Sequence, residues 1–243
     1  MVEMPMEMQH QVMGYDRTAA MFSPDGHLLQ VEYAEKTVRL GSSSIGIVCK
    51  DGVIIVADRR MKDLLVIEES ANKISEIDEH VVGTAAGIIS DSRVLIERAQ
   101  LIAQQHRVTY DSPIDIEAVI KEIANMKQMS TQYGSLRPFG VAIMVAGVSK
   151  KKAKLFASDV TGNYFSYYAM AIGENDERIK EVLRKEYSEN ITMEEGIKLA
   201  LKIFKDIQGK NFDLSRFDVA HISKSEGKLK RLNGDSLKKY NKL

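Results

Sequence analysis

Residues 22–34 read FSPDGHLLQVEYA, and this run decides how the fold begins. Its first half predicts a tight turn over residues 23–26, because Pro24 presets φ and Gly26 adopts a conformation that side chains resist. After the turn, apolar residues recur at helical spacing: Leu28, Val31 and Ala34. The run therefore predicts a turn that leads into an amphipathic helix continuing towards Arg39.

The same run resembles the signature of the α-type subunits of the 20S proteasome. Upstream of it, Gly14-Tyr15-Asp16-Arg17 stands where that family carries its Tyr-Asp-Arg element. The resemblance extends from Tyr15 to about Ile222, and the chain is similar to archaeal versions, which form seven-membered rings. It implies a four-layer αββα sandwich of the N-terminal-nucleophile hydrolase type.

Apolar patterns along the chain predict segregated runs of strands and helices. Strands are expected at 44–49, 53–57, 66–67, 81–86, 141–146, 155–158, 164–171 and 217–222, with residues 73–77 between the third and the fourth. Helices are expected to begin near Asp91, at the cap Asp115, near Glu174 and at the capping box Thr192–Glu195. Segregated runs indicate an α+β fold, and two sheets with a helix pair on each outer side would bury every apolar face.

Composition and patterning limit the kinds of partner that the protein could bind and the number of domains that it could form. Lys plus Arg and Asp plus Glu are both 34, so net charge gives no reason to expect nucleic acid or an anionic membrane as a partner. No stretch approaches the ~20 apolar residues of a membrane span. Residues 1–13 show no sustained period and are expected to form a mobile arm, for which the resemblance implies a gating role, whereas 14–243 are expected to form a single domain.

Cysteine and histidine usage favours a cytoplasmic protein without a metal site. Cys49 is the single cysteine, so there is no disulfide framework. Its position in an apolar run is typical of a small buried side chain rather than of a nucleophile. The five histidines have no metal-ligand spacing. Neither a cofactor nor a signal peptide is expected.

The proteasome family has catalytic and non-catalytic subunits, so peptide cleavage has to be weighed. A catalytic subunit uses a threonine freed as the new N-terminus, whose amine serves as the base. Here Ser42 follows Gly41 at that junction, and Asp58 and Lys73 resemble its supporting residues. The residue is serine, and it lies behind motifs of the uncleaved α type. We therefore expect no catalytic residue; the alternative is a β-type or bacterial two-ring peptidase acting through Ser42.

The resemblance implies roles in gating for five residues. In this family, arm residues that match Tyr15, Asp16 and Arg17 close or open the axial pore. They pack against a turn proline and a helix tyrosine, which would be Pro24 and Tyr33 here.

The resemblance also implies a docking pocket and a pore loop. Lys73 matches the lysine between neighbouring α subunits that pairs with the terminal carboxylate of an activator's tail, and Gly87 and Ile88 match positions beside it. The narrow opening of the ring is built by a Tyr-Gly-Gly loop, represented here by Tyr133-Gly134-Ser135. Ser135 departs from the usual second glycine.

The sequence is therefore identified as a member of the α-type proteasome subunits, with an architectural role in a threonine-type endopeptidase complex. The expected partners are other α subunits, β subunits, an unfolding AAA ATPase and unfolded substrates in transit. A second alternative remains open, a stand-alone peptide-binding module that uses the Tyr-rich strand at 164–168.

Overall fold

A computed structural model describes residues 13–60, 65–232 and 234–240. The helices within these residues are α1 (Leu29–Leu40), α2 (Ile89–Tyr110), α3 (Ile116–Gln132), α4 (Asp176–Glu186) and α5 (Met193–Gln208). The strands are β1 (Ser44–Val48), β2 (Gly52–Asp58), β3 (Ile74–Asp78), β4 (Val81–Gly87), β5 (Val141–Ser149), β6 (Lys152–Ser158), β7 (Tyr164–Ser166), β8 (Ala169–Ile172), β9 (Phe217–Ser223) and β10 (Leu229–Leu232). The predicted arm lies outside this description except for Met13.

The strands form two antiparallel sheets of five strands each. One sheet has the order β10-β9-β2-β1-β8, and the other has the order β3-β4-β5-β6-β7. Strands β1 and β2 pair as the hairpin that Lys50-Asp51-Gly52 predicts, with Val48 opposite Val53.

Strand β2 explains the layer order because it is buried on both faces. Ile54 and Val56 pack with residues of α4 and α5, whereas Val53 and Ile55 pack against the other sheet. On the far side of that second sheet, α2 and α3 cover its outer face. The four layers are therefore helices, sheet, sheet and helices, which confirms the αββα sandwich.

Helix α1 lies across one end of the sandwich rather than in a layer. Val31 and Ala34 pack on Val160, in the turn after β6. Thr37 donates from Oγ1 to the carbonyl of Gly140, 2.8 Å away, just before β5 begins. The predicted amphipathic helix is confirmed, and it borders the end of the sandwich where β4 ends and β5 starts.

Local capping signals correctly located the helix ends. Asp115 accepts a hydrogen bond from the backbone nitrogen of Glu117 at 2.9 Å. Thr192 and Glu195 form the predicted capping box at the start of α5, and Gly209 follows its last residue. In the described part of the chain, no helix is both long and apolar enough to cross a membrane.

Two strand predictions were wrong, and one strand was not predicted. Val66 lies in a bend and Ile67 has no regular secondary structure, so residues 66–67 are not a strand. The strand predicted at 164–171 is two strands in different sheets, because Tyr167 donates to Leu155 in one sheet whereas the carbonyl of Tyr168 accepts from Val48 in the other. The missed strand is the edge strand β10, whose two central residues, Lys230 and Arg231, concealed it.

Candidate functional site

A cavity of about 560 Å³ opens at the end of the sandwich beside α1. Its walls are formed by the end of α1, the residues between α1 and β1, the residues after β2 and the C-terminal end of β4. Predicted docking residues Lys73 and Gly87 both line it. Ile88 follows Gly87 and donates from its backbone nitrogen to the carbonyl of Gly140 at 2.9 Å. The structure therefore brings the predicted docking residues together.

Lys73 is held by oxygens of its own chain. Its Nζ donates to Oγ of Ser42 at 2.6 Å, to the carbonyl of Ser42 and, more weakly, to the carbonyl of Ser43 at 3.4 Å. Its backbone nitrogen donates to Oδ2 of Asp218 at 2.8 Å. Burial lowers the pKa of Lys73 to about 7, and the carboxylate of Asp58 partly opposes that shift.

Positive charge dominates the walls of this cavity. Arg59 and Arg60 line it together with Lys73. Nε of Arg59 lies 3.4 Å from Oδ1 of Asp218, whose pKa is raised by burial. The guanidinium of Arg60 pairs with Glu174 and donates to the carbonyl of Leu40 at 3.3 Å. Three basic side chains around one opening suit an anionic group such as a carboxylate.

Close backbone packing shapes the part of the wall that Gly41 and Gly87 form. Gly87 has φ +125°, and a β-carbon there would lie 2.1 Å from the carbonyl oxygen of Gly140. A β-carbon on Gly41 would lie 2.3 Å from the backbone nitrogen of Gly87. Side chains at these two positions would displace the backbone, so glycine is required for this wall to close.

The structure assembles only part of the catalytic arrangement that Ser42 would need. Ser42 and Lys73 are in contact, but the carboxylate of Asp58 is bound by Arg216 at 2.7 and 3.2 Å and by Gln208 at 2.8 Å. The nitrogen of Ser42 belongs to a peptide bond that continues from α1 through Gly41. That nitrogen is not an amine and does not act as the base.

The predicted gate residues lie next to α1. Tyr15–Arg17 form one turn of 3₁₀-helix after Gly14, whose φ is +77°. The side chain of Gln30 on α1 donates to the carbonyl of Asp16 at 2.5 Å, so this turn rests on the helix. Pro24 is exposed in the predicted turn, and Tyr33 is half-buried on α1. Their roles in gating stay a prediction.

The predicted pore loop follows the last turn of α3 and is exposed. The carbonyl of Tyr133 accepts from the backbone nitrogen of Leu136 at 3.0 Å, which closes a turn around Gly134 and Ser135. Ser135 does not have a positive φ, so a serine fits here without strain. A β-carbon on Gly134 would lie 3.8 Å from Oγ1 of Thr18, which places this loop beside the segment that follows the gate turn.

Sequence reasoning missed two sets of residues at this end of the molecule. Arg60 was not predicted, although two arginines directly after a buried strand were a usable signal. Asp91 was assigned only to a helix start, but its carboxylate binds Arg137. Asp91 and Arg137 are 46 positions apart in the sequence, so no local pattern connects them.

No group of three or more His, Cys, Asp or Glu side chains that could hold a metal occurs within residues 13–60, 65–232 and 234–240. Cys49 is buried, and burial raises the pKa of its thiol to about 12, as the nearby Asp51 also does. Such a thiol stays protonated and unreactive near neutral pH.

Comparison with known proteins gives consistent matches. A family model described as "Proteasome subunit" matches residues 38–222, and a model of the N-terminal signature of A-type proteasome subunits matches residues 15–36. A protein of Methanocaldococcus jannaschii named "Proteasome subunit alpha" is 43% identical over 229 residues, covering 93% of this chain and 86% of its own. Proteins of the same name from Thermococcus sibiricus and Methanosarcina acetivorans are 41% and 40% identical, covering 93% and 94% of this chain and 86% and 92% of their own.

Proposed function

Since the chain belongs to the proteasome subunit family and carries its α-type N-terminal signature, we propose how it works as the non-catalytic α subunit of the 20S core particle. Seven α subunits form an outer ring that stacks on β subunits. The ring admits unfolded substrates through a gated pore, and an AAA ATPase docks on it. Cleavage takes place in the β subunits. The chain acts in the cytoplasm as one domain, residues 14–243, with a gating arm at 1–13.

The observation that carries this proposal is the cavity containing Lys73. It combines a lysine, two arginines and the half-buried backbone of Gly87 in one opening. A peptide tail that enters it meets a cation for its terminal carboxylate and a wall without side chains for its backbone. A charge-assisted hydrogen bond of this kind contributes roughly 1.5–3 kcal/mol. The cavity is therefore suited to bind the C-terminal tail of a docking partner.

The entrance is proposed to consist of the arm and the pore loop. The turn Tyr15–Arg17 lies against α1, and the loop at Tyr133–Ser135 lies beside Thr18. Because α1 also borders the cavity, a docked tail would lie close to the same helix on which the turn Tyr15–Arg17 rests. Tyr15 and Asp16 would then pack differently in the open and the closed ring, with Pro24 and Tyr33 as their partners.

A pair of matched peptides tests the docking role. One peptide ends in a free carboxylate, and the other has the same sequence with a C-terminal amide. Binding to core particles reconstituted with β subunits is measured by fluorescence anisotropy. We expect the carboxylate peptide to bind these particles about tenfold or more tightly than the amide peptide. Equal binding of both peptides would mean that the cavity does not recognise a carboxylate.

A further inference from the structure

Asp91 and Arg137 form a two-pronged ion pair between the start of α2 and the segment that leads from the pore loop to β5. Nη1 of Arg137 donates to Oδ2 of Asp91 at 2.6 Å, and Nη2 donates to Oδ1 at 2.7 Å. The carboxylate is buried, with 9% of the Asp91 side chain exposed, whereas 58% of the Arg137 side chain is exposed. Such parallel pairing fixes the orientation of both groups.

Asp91 also supports the rim of the docking cavity. Its Oδ2 accepts from the backbone nitrogen of Gly140 at 2.9 Å. The carbonyl of Gly140 in turn accepts from the backbone nitrogen of Ile88 at 2.9 Å and from Oγ1 of Thr37 at 2.8 Å. One buried carboxylate therefore lies between the pore loop on one side and the cavity rim and α1 on the other.

The first part of the segment between α3 and β5, residues 133–137, has few other attachments. Residues 133–137 are exposed, and burial begins at Pro138. Among the described residues, the bond to Asp91 is the single ion pair that this segment makes. Arg137 directly follows the turn that contains Gly134 and Ser135. Its guanidinium therefore links the end of the exposed loop to the start of α2.

We propose that Arg137 is a positioning residue for the pore loop, and that Asp91 positions both this loop and the cavity rim at Gly87–Ile88. The proposal rests on the proposed function, since it takes Tyr133–Ser135 as the pore loop and the cavity as the docking site. The two residues differ in their expected effects. Loss of Arg137 frees the loop but leaves the bond from Gly140 to Asp91, whereas loss of Asp91 disturbs the loop and the rim together.

Core particles reconstituted with β subunits test this difference. The variants are Arg137→Gln, Asp91→Ala and, as a matched control, Arg98→Gln. Arg98 pairs with Glu122 at 2.5 Å between α2 and α3 and does not line the cavity. Two quantities are measured for each particle: the hydrolysis rate of an unfolded protein relative to a tripeptide-sized substrate, and the affinity for the carboxylate tail peptide.

We expect Arg137→Gln to raise the rate ratio by roughly threefold to tenfold while peptide affinity stays within about twofold. Asp91→Ala should raise the ratio and also weaken peptide binding by at least about threefold. Arg98→Gln should change neither quantity, although it also removes an ion pair. A merely structural role would lower the melting temperature of all three variants without separating these two measurements.

An unchanged rate ratio in Arg137→Gln overturns the proposal. If that variant does not assemble, Arg137→Lys decides, because lysine keeps one charged bond and should give a smaller rise in the ratio than an unpaired side chain. An unchanged ratio in the lysine variant also overturns it. Failure of the tail peptide to bind the parent particle would refute the docking role alone, because the rate ratio does not depend on that peptide.

Discussion

Nζ of Lys73 lies 2.6 Å from Oγ of Ser42, so the cation of the docking cavity contacts the residue at the nucleophile position of the catalytic subunits. Despite this contact, two features keep Ser42 from acting as a nucleophile. The carboxylate of Asp58 is directed to Arg216 instead, and the nitrogen of Ser42 is an amide. Because the Lys73 ammonium group already donates to oxygens of Ser42 and Ser43, a docking carboxylate would have to compete with these oxygens for it.

Ser42→Ala should leave the peptidase rate of a reconstituted core particle unchanged within a few-fold. The substitution removes a hydroxyl that takes no part in peptide cleavage. Lys73 keeps the carbonyl of Ser42 as a hydrogen-bond acceptor. Initial rates with a fluorogenic peptide measure the effect. A loss of several orders of magnitude with assembly intact would mean that this protein is itself an enzyme.

Local signals were sufficient for most of the fold. The turn at residues 50–52, the cap at Asp115 and the capping box at Thr192 each act over a few positions, and the structure confirms all three. Strand β2 is buried on both faces, so its sequence is an almost unbroken apolar run. That run could be recognised as a strand from the sequence.

Long-range contacts explain what the sequence did not predict. Arg216 binds Asp58, although the two residues are 158 positions apart in the sequence. Because Asp58 is paired with Arg216, the catalytic arrangement around Ser42 is incomplete. The chain changes sheet between Tyr167 and Tyr168, although both residues have the same strand preference. A resemblance could identify Lys73, but only the folded chain shows which oxygens surround its ammonium group.

Tail docking should weaken as pH rises above about 7. Burial lowers the pKa of Lys73 to about 7, so the ammonium form that binds a carboxylate is lost above that pH. Affinity should be constant between about pH 5.5 and 6.5 and should fall about tenfold per pH unit at higher pH. Lys73→Arg, which stays charged, is the control and should bind without this decline. Parent affinity that stays flat up to pH 9 would contradict the assignment.

Lys127→Met should remove a pH-dependent part of the stability. Lys127 is fully buried on α3, where Nζ donates to the carbonyls of Asp159 at 2.9 Å and Ser158 at 3.3 Å. Burial lowers its pKa to about 7, against roughly 10.4 in an unfolded chain. Between these values the unfolded chain binds the extra proton, so Lys127 makes the free energy of unfolding increase with pH.

Urea unfolding at pH 7 and pH 9.5 measures this effect. The increase between the two pH values should be smaller in Lys127→Met than in the parent. Lys121→Met, at an exposed position on the same helix, should behave like the parent. Equal increases in the parent and both variants would mean that Lys127 keeps its proton in the folded chain.

Substitutions on α1 should separate folding from ring assembly. Val31 is 7% exposed and packs within its own chain, so Val31→Asp buries an unpaired charge and should unfold the protein. Leu40 is 76% exposed at the rim of the cavity, so Leu40→Asp should leave the melting temperature nearly unchanged and weaken ring formation. Native mass spectrometry measures the ring. Intact rings from the Leu40→Asp protein would exclude this end of α1 from the interface between neighbouring subunits.

The arm and the docking cavity should act on the pore in opposite directions. Removal of residues 1–13 should accelerate hydrolysis of medium-length peptides, because it removes the proposed gating arm, and should barely affect very small peptides. Lys73→Ala should leave the closed gate unchanged and weaken activation by the ATPase, since the tail carboxylate loses a bond of roughly 1.5–3 kcal/mol in every pocket of the ring. Lys154→Ala, which removes an ion pair with Asp115 near the other end of β5, is the control.

The combined variant, which lacks residues 1–13 and carries Lys73→Ala, should hydrolyse medium-length peptides quickly and should not respond to the ATPase. Full activation of the Lys73→Ala particle, or a truncated particle as slow as the parent, would show that these residues have other roles.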